Sequence, residues 1–218
     1  MTDNEPIVFV VDDDSLVRAS LKRLIGLEGW RVETFASARE FLQEARLVES
    51  QNLTPACLVL DVRLPDLNGL DFQGELAKAG IQIPIVFITG HGDIPMSVRA
   101  MKAGAVGFLT KPFSENDLLK SIEEALEQDR LACQKRVEMQ SLHRRYELLT
   151  PREREVFAYV VTGKLNKQIA YDLHVTEKTI KVHRALVMQK MQAESLADLV
   201  RMAEKLHLSI PNPTHNIS

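Results

Sequence analysis

Leu58-Val59-Leu60-Asp61-Val62-Arg63-Leu64-Pro65-Asp66-Leu67-Asn68-Gly69 is the stretch from which the rest of the chain can be read. An apolar run of the kind that forms a fully buried parallel strand stops at Asp61, and turn signals at Pro65 and Asn68-Gly69 follow within a few residues. The pattern places a carboxylate at the carboxyl end of a central strand, the edge of an open α/β sheet at which ligands bind. A carboxylate there is costly unless a cation meets it, so the other residues reaching that edge decide the chemistry.

Working outward, Ile7-Val8-Phe9-Val10-Val11 is a second apolar run and ends in Asp12-Asp13-Asp14; Leu16, Val17, Leu21, Leu24 and Ile25 then recur at helical spacing up to Gly29. Arg31 to Phe35 reads as a short strand, and Ser37-Ala38-Arg39-Glu40 has the capping-box form that opens a helix. Cys57 to Leu60 is predicted as a strand and Leu70 to Lys78 as a helix. Ile85 to Ile88 ends in Thr89, with a glycine-rich turn leading to a helix around Met96 to Met101. Val106 to Leu109 gives way to Thr110-Lys111-Pro112, and Ser114 opens a helix carrying Leu118, Leu119, Ile122 and Leu126. Five strands alternating with five helices predict a doubly wound, five-stranded parallel sheet with right-handed crossovers.

By the fold rule alone, Asp12-Asp13, Asp61, Thr89 and Lys111 share one sheet edge. Together they can hold a hard cation, present a nucleophilic carboxylate, donate a hydroxyl and supply a compensating ammonium. No G-x-x-x-x-G-K-[ST] or G-x-G-x-x-G follows any strand, so this is phosphoryl-transfer chemistry without a nucleotide-binding loop. A lone acidic residue at a strand end is usually a helix cap or turn residue, and Asp14 or Asp66 is expected to serve that way. Four complementary groups on separate strands of one sheet are much harder to assign to chance.

Composition bounds the reading. The 218 residues are 45% hydrophobic, enough for one large or two modest cores, and no apolar run approaches the roughly 20 residues of a membrane span. The start, Met1 to Pro6, lacks the basic and apolar regions of a signal peptide, so a cytoplasmic location and no membrane partner are expected. Cys57 and Cys133 are far apart and suggest neither a disulfide framework nor a zinc site; Cys57 is expected in the core and Cys133 as an incidental thiol. The net charge of -3 divides unevenly: 12 Lys and Arg stand against 8 Asp and Glu from His143 onward, and 15 against 22 before it. An acidic front suits bound cations and a basic back suits phosphates.

Between the halves, Leu126 to Arg145 carries helix formers with no Gly or Pro, and its apolar residues are too irregular for a coiled coil. A solvated helical spacer is expected. Thr150-Pro151-Arg152-Glu153 combines an N-cap, a first-turn proline and a capping-box Glu, and opens a helix that stops at Gly163. Helices are predicted from Asn166 to Leu173, from Glu177 to Met191 after a tight turn at His174-Val175, and after Ser195. The second and third, with small Ala170 at their crossing and Ile180 as anchor, read as a helix-turn-helix. Lys164, Lys167, Lys178, Lys181, Arg184 and Lys190 face only Asp172 and Glu177 across this segment. Lys178 and Lys181 project from one side of the second helix near its start, where a major-groove reader makes its contacts, although a solvated basic face would look similar on charge alone.

Residues 7 to about 125 resemble the receiver domain of two-component response regulators through V-D-D-D (Val11 to Asp14), L-D-V-R-L-P-D-L-N-G (Leu60 to Gly69), I-T-G-H-G-D (Ile88 to Asp93) and K-P-F (Lys111 to Phe113). Thr89 to Met96, with Ala100 to Ala105 behind it, is similar to the FixJ branch. Leu149 to Val156, Asn166-Lys167-Gln168-Ile169-Ala170 and Thr179-Ile180-Lys181-Val182-His183-Arg184 resemble the LuxR-type DNA-binding domain of NarL/FixJ regulators. The implied organisation is a flavodoxin-like receiver over residues 1–125, a helical linker over 126–142, a small all-α helix-turn-helix domain of four helices over 143–208 and a disordered tail over 209–218.

The resemblance implies that Asp61 accepts a phosphoryl group from a sensor histidine kinase. Asp13, Asp61 and the carbonyl of Arg63 would then coordinate Mg²⁺, with Asp12 supporting it through water, and Lys111 would pair with the aspartate or its phosphoryl group. Thr89 and Phe108 would form the switch, Phe108 without the hydroxyl of the tyrosine found in many relatives. Lys181, Val182 and Arg184 would face the groove of double-stranded promoter DNA, with Lys178 beside them. Asn166, Lys167, Thr179 and His183 would lie near the backbone or support it. A second copy of the chain on activation and RNA polymerase are the further implied partners. His174 stands at the turn where relatives often carry glycine, and a histidine can take a left-handed turn conformation there at some cost. An enzyme reading, a Mg²⁺-dependent phosphatase with Asp61 as nucleophile, needs a second carboxylate where Arg63 stands. A regulator that works without phosphorylation is the remaining alternative.

Overall fold

The computed structural model describes residues 5–48, 54–90 and 92–208, and the chain divides into two compact units between Lys135 and Arg136. The expected disordered tail, 209–218, lies outside the described residues.

In the first unit β1 (Ile7–Val11), β2 (Arg31–Phe35), β3 (Ala56–Asp61), β4 (Ile85–Thr89) and β5 (Gly107–Thr110) form one parallel sheet in the order β2-β1-β3-β4-β5. The helices between and after them are α1 (Ser15–Leu27), α2 (Ala38–Val48), α3 (Gly69–Lys78), α4 (Ile94–Lys102) and α5 (Glu115–Glu147). The central strands are buried on both faces, as their continuous apolar runs require. Alternate residues feed two cores. Phe9 and Val11 pack with Phe41, Phe72, Leu76 and Ala100 beneath α2, α3 and α4, whereas Val8, Val10 and Val59 pack with Leu21, Ile25, Leu118 and Ile122 beneath α1 and α5. The strand order reverses between β1 and β3, which puts the ends of these two strands on either side of the crevice where a doubly wound sheet binds its ligands.

Local signals set the helix starts. Asp14 caps α1 by accepting from Leu16 and Val17 N–H, Asn68 caps α3, and Asp93 caps α4. At α2 the expected box is modified: Ser37 Oγ accepts from Glu40 N–H, but the Glu40 carboxylate reaches the N–H of Ala36 rather than that of the cap. Asp66 accepts from Arg39 N–H, so it serves the head of a helix 27 residues earlier in the chain rather than its own turn.

The segment 126–142, expected as a solvated helical spacer, is helical, all of it within α5, and mostly exposed, but Leu126, Asp129, Cys133 and Leu142 are buried. The buried spacing Leu118, Ile122, Ala125, Leu126 continues to Asp129 and Cys133 in the first unit. There Asp129 Oδ2 accepts the N–H of Ala56 at 2.8 Å and Cys133 Sγ lies 3.6 Å from the same oxygen, so Cys133 is a packed thiol rather than an incidental one. Leu142 is buried in the core of the second unit.

That second unit holds the last turns of α5 together with α6 (Pro151–Val161), α7 (Asn166–Asp172), α8 (Glu177–Met191) and α9 (Leu196–Lys205). Its core is built from Leu142, Leu149, Val156, Phe157, Ile169, Ile180, Val187 and Leu199. Both halves of the Thr150–Glu153 capping box form, and Gly163 ends α6 at φ 81°. His174 occupies the turn between α7 and α8 at φ 53°, the left-handed conformation that a glycine would adopt more cheaply. No helix among the described residues is long and apolar enough to cross a membrane.

Candidate functional site

The carboxyl ends of β1, β3, β4 and the residue after β5 bring Asp12, Asp61, Thr89 and Lys111 together. Lys111 Nζ donates to Asp12 Oδ2 at 2.8 Å and to Asp61 Oδ2 at 2.7 Å, linking groups 99 and 50 residues apart. Asp12 and Asp61 are 1% and 7% exposed, so the two carboxylates are held against one ammonium with little water. Their second oxygens are also satisfied: Asp12 Oδ1 accepts from Asp14 N–H at 2.9 Å and Asp61 Oδ1 from Arg63 N–H at 2.8 Å. Arg18 adds hydrogen bonds to the carbonyls of Asp12 and Asp13, which fixes the loop after β1.

Burial drives the electrostatics. It pushes the Asp12 carboxyl above its ordinary value, against the opposing pull of Lys111 and the Asp14 N–H. At Lys111 burial works toward a lower value, but the hydrogen bonds to Asp12 and Asp61 outweigh it and hold the ammonium above its ordinary range. Lys111 therefore stays charged at neutral pH.

Asp13 is exposed beside this cluster. No group of three or more His, Cys, Asp or Glu side chains gathers as a metal site among the described residues. The groups that could meet a cation are all oxygens, from the buried carboxylates of Asp12 and Asp61 and the adjacent exposed one of Asp13, the hard donor set that Mg²⁺ takes.

Thr89 is fully buried, and its carbonyl accepts the Lys111 N–H at 2.7 Å. Phe108, one strand over, is half-buried with its ring 6.2 Å from that of Phe87. Gly92 covers both: a Cβ added there would lie 2.8 Å from Thr110 Cγ2, 2.9 Å from Phe108 Cε1 and 3.0 Å from Thr89 Cγ2. The glycine-rich turn after β4 was legible in the sequence, but not that one of its glycines presses on these side chains.

In the second unit Thr176 caps α8, and its hydroxyl also lies 2.8 Å from that of Thr179. Lys178, Lys181 and Val182 are exposed, and so are Ala185 and Gln189. At 100° per residue these five fall within an arc of about 100° on one face of the helix. Ala185 and Gln189 were missed in the sequence because neither is charged. Lys167 is exposed at the head of α7, whereas Asn166, His183 and Arg184 are half-buried. Arg184, expected to face the groove, is half-buried, and its Nη1 donates to Asn166 Oδ1 at 3.2 Å. At the other end of α8, Lys190 binds the buried Glu153 carboxylate at 2.7 Å and the Leu148 carbonyl, tying α8 to the capping box of α6.

Residues 8–123 match the family model described as response regulator receiver domain, and residues 147–203 match that of the bacterial regulatory proteins of the luxR family. Nodulation protein W of Bradyrhizobium diazoefficiens is 52% identical over 93% of this chain and 87% of its own. The transcriptional regulatory protein FixJ of Rhizobium meliloti is 43% identical over 90% of this chain and 94% of its own. The solved structure of the response regulator StyR superposes with a TM-score of 0.81 at 47% identity, covering 92% of this chain and 99% of that one. A five-stranded receiver with an acid pair and lysine at its carboxyl edge, followed by a helix-turn-helix unit, and full-length likeness to these proteins together place the chain in the NarL/FixJ family of two-component response regulators, which regulate transcription.

Proposed function

We propose that Asp61 is the phosphoacceptor of this regulator, and that its phosphorylation raises occupancy of promoter DNA by α8. The observation that carries the reading is Lys111 Nζ bridging the buried carboxylates of Asp12 and Asp61. An Asp61 oxygen attacks the phosphorus of a kinase phosphohistidine, the P–N bond breaks, and the histidine leaves as the nitrogen reclaims its electron pair. The reaction needs little beyond positioning and neutralisation of charge on the transferred group. Lys111 supplies one fixed positive charge beside Asp61. Asp12, Asp13, Asp61 and the carbonyl of Arg63 are the groups that would hold Mg²⁺, which when bound supplies electrostatic stabilisation of the phosphoryl oxygens.

Thr89 and Phe108 are the proposed switch. The new oxygens at Asp61 attract the Thr89 hydroxyl, and the half-buried Phe108 ring follows into the space released. Self-association of activated receivers is supported by an apolar stripe on α4, Ile94, Val98 and Met101, which are 80%, 44% and 48% exposed at successive turns. Two copies would then engage two half-sites of double-stranded DNA, with Lys178, Lys181 and Val182 toward the bases and Asn166, Lys167, Thr179 and His183 near the phosphates. A sensor histidine kinase is the proposed donor, RNA polymerase the partner downstream, and the cytoplasm the compartment.

The test is DNA binding at fixed salt before and after treatment with acetyl phosphate and Mg²⁺, with Asp61→Asn as control. Phosphoryl uptake and a rise in site-selective binding, both absent in the variant, are expected. Equal binding in all samples would separate the helix-turn-helix from Asp61 and favour a regulator that works without phosphorylation.

A further inference from the structure

Arg184 and Asn166 belong to different helices of the proposed DNA-binding face, and their hydrogen bond has a direction. A guanidinium can only donate, so the Asn166 atom 3.2 Å from Arg184 Nη1 is the carbonyl oxygen. With Oδ1 engaged, the Asn166 Nδ2 group, carrying two N–H donors, points away from Arg184. An unheld asparagine can offer either end of its amide to a ligand. A phosphate oxygen is repelled by one end and hydrogen-bonded by the other. The place of Arg184 on α8 agrees with such a role, since it is half-buried and turned about 60° from Lys181, with exposed Glu177 between them.

We infer that Arg184 is a positioning residue of the DNA interface: it reads no base, but holds the Asn166 amide so that its N–H groups are presented to a DNA phosphate. The inference rests on the proposed binding of DNA by α8 and adds to it how one phosphate contact is prepared before DNA arrives. It also moves base selection to the exposed arc.

The experiment uses the full-length chain and a duplex oligonucleotide selected from a random pool by the unaltered protein, together with every single-base variant of that duplex. Arg184→Ala and Asn166→Ala are each expected to weaken binding about five- to tenfold on all duplexes alike, the range of one lost hydrogen bond. The double variant should be no weaker than either single one, because both remove the same contact. Arg184→Lys, which keeps a donor, should recover part of the loss. Asn166→Asp should bind more weakly than Asn166→Ala, because it turns a carboxylate toward the phosphate. The dependence of binding on salt should be unchanged by Arg184→Ala, since the lost contact is made by a neutral amide.

Three results would overturn the inference: loss of preference at a single base pair in Arg184→Ala alone, multiplicative losses in the double variant, or a salt slope reduced by about 0.9, which marks a phosphate bound by Arg184 itself. Thermal unfolding of each variant separates a local loss from a failure to fold. If Arg184→Ala does not fold, the comparison of Arg184→Lys with Asn166→Asp carries the test, and equal binding by Asn166→Asp and the unaltered protein overturns it. Failure of the unaltered protein to select any duplex would sink the DNA reading itself, a result distinct from all of these.

Discussion

Lys111→Met removes the one ammonium between Asp12 and Asp61 while keeping most of the side-chain volume. Two carboxylates, 1% and 7% exposed, are then left facing each other without their cation. Breaking a fully buried ion pair costs about 3–5 kcal/mol; because the Lys111 side chain is 26% exposed, water recovers part of this, and a loss of about 2–3 kcal/mol at neutral pH is expected. The loss depends on pH with a definite sign. The folded-state value of Asp12 already lies above the ordinary 3.8, so its ionisation costs stability as pH rises from there through the raised value. Without Lys111 that value moves higher still, and the variant should regain stability when acidified from neutral pH more than the unaltered protein does.

Urea titration followed by fluorescence of Trp30, which packs against the core of the first unit, measures this at pH 7 and near pH 5 without added divalent cation. Asp12→Asn supplies a second test. Because ionisation of Asp12 already costs stability beside Lys111, the neutral amide should stabilise at pH 7, and by more in the Lys111→Met background, where no ammonium offsets the repulsion from Asp61. Equal destabilisation by Lys111→Met at both pH values, or an equal effect of Asp12→Asn in both backgrounds, would refute the reasoning.

Further expectations concern other parts of the chain. Gly92→Ala should destabilise the first unit by about 1–3 kcal/mol in the same titration, because its Cβ would stand within 3.0 Å of Thr89, Phe108 and Thr110; an unchanged midpoint would show that the turn after β4 yields freely. Glu153→Gln loses the charged partner of Lys190 and weakens the cap of α6, a cost of about 1–3 kcal/mol by far-ultraviolet circular dichroism. Burial pushes the Glu153 carboxyl up, but Lys190 and the Thr150 N–H outweigh it and leave it below the ordinary 4.5. Its stabilising effect is thus present above that value and lost as pH falls through the lowered one, and acidification should narrow the gap between Glu153→Gln and the unaltered protein. Lys181→Ala should weaken binding to a selected duplex by about 1–3 kcal/mol and relax preference at one base pair. A uniform loss across sequences would assign Lys181 to a phosphate instead.

Much of this protein was determined by signals that lie within a few residues of one another. Apolar runs marked the buried strands, Asp14, Asn68, Thr150, Thr176 and Ser195 stood at the heads of helices, and alternation of strand and helix led to a parallel sheet whose carboxyl edge gathers Asp12, Asp61, Thr89 and Lys111. Such signals are legible because backbone hydrogen bonding and side-chain periodicity act locally.

What only the tertiary structure decided involves partners distant in the chain. Nothing in the spacing of Asp66 indicates that it serves the head of α2, or in that of Asp129 that it meets the N–H of Ala56 and draws residues expected as a solvated spacer into the first unit. Resemblance implied a groove contact for Arg184, but nothing in its position along the chain indicates that its guanidinium meets Asn166. Ala185 and Gln189 carry no charge to mark them, and only the burial of the opposite face of α8 against Ile169 and Val156 shows them to be exposed. Side-chain direction and pairing depend on which surfaces fold against each other, and that is fixed by packing in three dimensions rather than by order along the chain.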